Sequence, residues 1–186
     1  LSITPTTSFP HHLNPKESEI RPGGNLAHTK MCFADLFGAN ISDALLNGAD
    51  LSDANLYGVE MSHVQAQNLL ACPDALPTGW QCVNNNLAGP HARLFGSLLS
   101  YTNLTGANLT GASLTDAYPR FADLRYSDLS DANLSGADLR GADLSYADLT
   151  GANLRGADLS GTIWYGTICP DGSNSDDNGN TCENNL

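Results

Sequence analysis

The residues able to do chemistry in this 186-residue chain are its five cysteines, its 20 carboxylates and its five histidines. Cys72 and Cys82 flank an irregular stretch, and Cys169 and Cys182 bracket the C-terminal tail. Two locally spaced pairs, without CxxC spacing or a nearby histidine cluster, read as two disulfides rather than as metal ligands. Each would close a short loop, worth ~2–3 kcal/mol in the chain-entropy account. Cys32 is the odd one, either buried and free or paired between chains. Disulfides point to an oxidising compartment. The chain begins at Leu1 rather than at a methionine, so loss of a targeting segment and an extracellular or cell-surface location are the expectation.

Asp171, Ser173, Ser175 and Asp177 alternate oxygen ligands in a Gly-containing loop, which makes them a calcium candidate. They lack the DxDxDG core and the spaced glutamate of an EF-hand, and a polar lid pinned by the second disulfide is the competing reading. The histidines, at 11, 12, 28, 63 and 91, have no nucleophile and orienting carboxylate in sequence context. No glycine-rich phosphate loop follows a strand. The chain therefore reads as a non-enzyme with no cofactor other than that calcium candidate.

What must position these residues is a repeat. Residues 132–161 read ANLSG ADLRG ADLSY ADLTG ANLRG ADLSG, six consecutive five-residue units. A leucine centres each unit, an alanine precedes it by two, and Asp or Asn lies between. Apolar offsets of two and three wander round an α-helix and break the alternation of a strand. They make sense if each unit is one short extended side followed by a bend, with the leucine and the alanine turned inward. Four sides close a square coil of 20 residues, and coils stack at the ~4.8 Å spacing of paired strands. The core ladder is Leu36, Leu51, Leu56, Leu104, Leu109, Leu134, Leu139, Leu144, Leu149, Leu154 and Leu159.

These A(D/N)LxG units resemble the pentapeptide-repeat family. The resemblance implies an all-β fold, a right-handed quadrilateral β-helix or solenoid. With its cysteine pairs, the chain is similar to a secreted, disulfide-containing member. The motif describes a core rather than a site, so it says little about function.

In order along the chain, residues 1–23 are a Pro-rich extended arm, held against its own β-helix or reaching to a neighbouring subunit. A first repeat block covers 24–68. Residues 69–91 are a disulfide-closed insertion loop that leaves the register, with Trp80 folding against the shaft. A second block covers 92–171, and 172–186 is a capping tail. The blocks give about six coils, a rod of roughly 30 Å. Pro119 stands where a leucine belongs, and a local bulge is expected there. Trp164 and Cys169 replace the last central leucines.

Residues 20 apart should stack. Tyr101 then lies under Phe121, Tyr126 under Tyr146 and Phe37 under Tyr57. Tyr101, Phe121, Tyr126 and Tyr146 form the candidate interface, an exposed apolar patch beside Pro119. Asp123 under Asp143, Asp128 under Asp148 and Asp138 under Asp158 form like-charge ladders. Asp and Asn fill this slot because their side chains can hydrogen-bond backbone at the bend. The sequons at Asn103, Asn108 and Asn133 are by-products of the repeat.

A formal net charge of −12 argues against nucleic acid or an anionic membrane surface as a direct partner. No apolar run approaches the ~20 residues of a membrane span. The leading expectation is a non-catalytic extracellular structural protein, a rigid rod that self-associates into a homo-oligomer, filament or surface layer through its arm and its ends. The alternatives are a DNA-mimicking inhibitor of gyrase, which the acidity fits and the disulfides do not, and a secreted binding module for carbohydrate or protein using the Trp80 loop.

Overall fold

The computed structural model describes residues 20–183. Most of the arm at 1–23 and the end of the tail lie outside the described residues. The chain divides into two compact units, Leu1–Leu87 and Ala88–Leu186.

In both units each pentapeptide is one side of a four-sided coil, and parallel bridges join residues 20 apart. Each side hydrogen-bonds in both axial directions. Leu134 donates upward to Asn153 O at 2.8 Å, while Asn133 donates downward to Ala112 O at 2.9 Å. A tight bend follows each centre, with Ala137 N donating to Leu134 O at 3.0 Å. The residue two after the centre sits at the corner with positive φ, as in Gly136 (69°) and Tyr146 (60°). Glycine adopts that region without strain, whereas a side chain there must be held by its neighbours. All eleven core-ladder leucines are buried, none more than 7% exposed, and the alanines line the same interior. At about 25 cal/mol per Å² of apolar surface, these rows are the main stabilising force.

The first unit runs in register from Asn25↔Leu45 to Leu45↔Gln65. The segment after residue 68 does not simply loop away, as expected. Asp50 bridges Ala71 and Asn55 bridges Ala75, so a slip of one residue is taken back within the next side. Cys72 therefore follows Leu51 on its side, and Leu76 follows Leu56. A hairpin of β1 (Gln81–Val83) and β2 (Asn86–Ala88) comes next. Its two-residue turn, Asn84–Asn85, has φ of 46° and 57°, as a right-handed strand twist requires. Leu87 N returns to Ala66 O at 2.9 Å. Cys72 is disulfide-bonded to Cys82, and Trp80, Leu76 and Cys82 pack on the unit's core as expected for Trp80. Cys32 is free and half-buried.

The second unit keeps the 20-residue register from Arg93↔Ser113 to Asp148↔Ile168. The bulge expected at Pro119 is absent. Tyr118 bridges Leu98, Asp138 N reaches Ala117 O at 2.9 Å, and Phe121 N reaches Arg140 O at 3.0 Å. Pro119 is buried in the row of leucines. An extended side accepts proline's fixed φ, and the change removes only one upward N–H.

At the end of this unit Trp164 is 4% exposed and Cys169 is wholly buried. The chain then reverses. Cys169 N donates to Ser173 O at 2.7 Å and Ser175 N to Thr167 O at 2.9 Å, and Ile168 pairs antiparallel with Asn174. A 3-10 helix, Ser175–Asn178, is capped by Asn174, and the Cys169–Cys182 disulfide ties the lid down.

Candidate interaction surfaces

The Asp/Asn slot before each centre has one local job. Its side-chain oxygen accepts the amide two residues on: Asp128 from Ser130 at 3.0 Å, Asp143 from Ser145 at 3.0 Å, Asn108 from Thr110 at 3.1 Å. This fixes the bend and accounts for the prevalence of Asp and Asn in the slot without a ligand.

The carboxylates differ in what else they meet. Arg125 pairs with Asp123 at 2.6 Å and approaches Asp143 at 3.9 Å. Arg120 and Arg140 both engage Asp138, and Arg140 lies 3.4 Å from Asp158. The Arg125 hydrogen bond holds Asp123 down at about 2, against the opposing effect of burial. Arg140, opposed by burial and then joined by Arg120, holds Asp138 well below the usual carboxylate range. Asp158 is lowered by the Ser160 hydroxyl first. At Asp128 burial pushes upward, but bonds from Ser130 and Thr110 outweigh it and the net shift is downward.

Tyr101, Phe121, Tyr126 and Tyr146 occupy corners, Phe37, Tyr57 and Tyr165 sit one residue before a corner, and the rings stack along the axis. Tyr101 lies on Phe121 with ring centroids 5.2 Å apart and planes at 14°, and Tyr126 lies on Tyr146 at 4.9 Å and 4°. Tyr165, which the sequence reading passed over, meets Tyr146 edge-on at 5.2 Å. In the first unit Phe37 lies on Tyr57 at 6.2 Å. The four residues of the candidate interface are all exposed, Tyr101 the most at 77%. They form two ladders on successive corners. The Phe121 ladder stands between the two arginine-paired sides, and the Tyr146 ladder stands at the next corner.

The four calcium candidates do not converge. Ser175 is wholly buried, its hydroxyl donating to Trp164 O and accepting from Thr167 N. Asp171 instead accepts the Ser173 amide at 2.9 Å and hydroxyl at 2.6 Å, and the Asp177 amide donates to Asn174 O. Among the described residues no group of three or more His, Cys, Asp or Glu could hold a metal ion. No helix among them is long and apolar enough to cross a membrane.

The last surface is a backbone edge. In the coil beneath it, Leu134, Gly136, Leu139 and Gly141 donate to Asn153, Arg155, Asp158 and Ser160 at 2.8–3.0 Å. One coil higher, the N–H groups of Leu154, Gly156, Leu159 and Gly161 have no acceptor among the described residues. The lid covers the other two sides, where Gly166 N donates to Asp176 Oδ1 at 2.8 Å. A shallow hollow of about 490 Å³ lies along the open part, lined by Gly156–Ser160 and Glu183.

Stacked coils, a leucine–alanine interior and an Asp/Asn bend in every unit define a pentapeptide-repeat solenoid. The sequence profile described as Pentapeptide repeats matches in eight copies, over residues 34–68, 91–118 and 120–163, more than half of the chain. The chain belongs to the pentapeptide-repeat family. The profile pauses across the hairpin segment and again at Pro119. Nothing matches among curated proteins. Among solved structures, a pentapeptide-repeat protein from Nostoc PCC 7120 is 44% identical, covering 40% of this chain and 61% of that one, with a TM-score of 0.40. One from the Arabidopsis thaliana thylakoid lumen is 19% identical over 81% of this chain and 72% of its own, with a TM-score of 0.34. Rfr23 from the cyanobacterium Cyanothece 51142 is 27% identical over 70% and 64%, with a TM-score of 0.33. The chain thus spans less than two thirds of the Nostoc and Cyanothece proteins. Members of the family have structural, regulatory and gyrase-inhibitory roles.

Proposed function

We propose that this is a non-catalytic structural protein of an oxidising, extracellular compartment, whose copies associate through the ends of their β-helices. The observation that carries this reading is the row of unpaired donors at Leu154, Gly156, Leu159 and Gly161. A strand edge with free N–H groups is a template for another chain, and proteins that stay monomeric usually blunt it. Here a disulfide-tied lid blunts two sides, and no described residue pairs with the other two. Two disulfides support the oxidising compartment.

Pro119 suggests the test, because this fold already accommodates proline at a central position. A Leu154→Pro/Leu159→Pro variant removes two of the free donors and breaks no hydrogen bond among the described residues. In sedimentation velocity and electron microscopy the full chain should form species larger than a monomer. The double variant, with an unchanged circular dichroism spectrum, should shift to monomer. A wild-type chain that stays monomeric at every concentration contradicts the reading, and so does assembly that the folded variant leaves intact.

A further inference from the structure

The tyrosine corner divides two kinds of surface. On one flank Arg125 pairs with Asp123 and approaches Asp143. On the other flank Asp128 and Asp148 lie two residues beyond Tyr126 and Tyr146 in the sequence and bridge each other across coils. Among the described residues neither forms an ion pair with a lysine or arginine. Asp176 adds to the same corner, because it accepts the Gly166 amide and Gly166 sits against the Tyr146 ring. Tyr126, Tyr146 and Tyr165 are 60%, 46% and 56% exposed. The result is a column of three contacting rings beside carboxylates that no cation among the described residues pairs with, whereas arginines pair with those of the two preceding sides.

We propose that this corner is a docking surface for an arginine-rich, extended polypeptide segment of another protein. Charge complementarity selects a cationic partner, and it disfavours both a polyanion and a second copy of a chain that carries −12. The rings favour arginine over lysine, because a planar guanidinium stacks on an aromatic face and also pairs with a carboxylate. The coil repeat sets the spacing, so successive arginines of an extended segment can follow successive rings and carboxylates along the axis. This surface is separate from the open edge, and its use does not depend on self-association.

The test uses the full chain and a labelled nona-arginine peptide, followed by fluorescence anisotropy at two salt concentrations, with nona-lysine as comparison. Three variants accompany it: Tyr126→Ser/Tyr146→Ser, Asp128→Asn/Asp148→Asn, and Tyr101→Ser/Phe121→Ser. Asparagine is native to the aspartate slot at Asn108 and Asn133, so the second variant keeps the bend. The expected result is salt-sensitive binding of nona-arginine, at least fivefold tighter than nona-lysine. Each of the first two variants should weaken it about tenfold or more, and the Tyr101/Phe121 variant should leave it within twofold. Equal affinity for the two peptides, or equal weakening by all three variants, would mean diffuse attraction to an acidic protein and would overturn the proposal. Absence of binding at low salt would overturn it as well.

Discussion

Gly141 and Gly106 hold the same place in their repeats, with φ of 66° and 65°. They differ in what stands beside them. A Cβ on Gly141 would lie 2.4 Å from the Phe121 ring, whereas one on Gly106 would meet nothing within 4 Å. Gly106→Ala should therefore cost only the left-handed backbone term, about 1–2 kcal/mol. Gly141→Ala should cost that and also force Phe121 off Tyr101, a further ~0.5–1.5 kcal/mol. Chemical denaturation of both variants, repeated in a Phe121→Ala background, checks this. The extra cost should vanish once the ring is gone, and an undiminished difference would contradict the stacking account. Which corners need glycine was not legible in the sequence, because the answer depends on the residue twenty positions earlier. Gly136 meets Asp116 and Gly166 meets Tyr146 in the same way.

At the scale of one side, the five-residue period told which residues are inward, and the eleven ladder leucines lie where the period puts them. The aspartate bend was equally legible, because its partner is two residues away. Partners one coil away were not. Nothing local says that Arg120 and Arg140 share Asp138 while Asp128 has no arginine. The hairpin segment was misjudged for a related reason. Its sides continue the coil with Cys72 in place of a leucine and a one-residue slip before Leu76, so the motif fades while the stacking persists. The arginine-paired sides make a pH prediction. The lowered values of Asp123 and Asp138 mean that each stabilises the fold above the ordinary carboxylate range of about 4, and that the gain is lost as pH falls toward about 2. Thermal melting should be nearly flat from pH 7 to 5 and decline from about 4 to 2. An Asp123→Asn variant should decline less over that window. The effect should be modest, because the arginines are more than 40% exposed. An identical decline in both proteins would contradict the assignment.

For the molecule as a whole, each unit closes its own core, and each disulfide lies where the repeat gives way to irregular chain. The sequence pointed to a capping tail, but not that the described part of the lid would pair with just two sides of the last coil. That depends on the reversal at Gly172 and on the burial of Ser175, neither of which the repeat encodes. Function, on this account, resides in surfaces that the core leaves over: an open edge for copies of the chain and a tyrosine corner for a basic partner.

Residue-resolved amide hydrogen exchange over a concentration series tests the open edge most directly. In dilute protein the amides of Leu154, Gly156, Leu159 and Gly161 should exchange fast, while Leu134, Gly136, Leu139 and Gly141 one coil below stay protected. As concentration rises, the upper four should become protected together with the growth of larger species. Exchange at those four amides that does not change with concentration, whether fast or slow, would contradict the claim that this edge joins one copy to another.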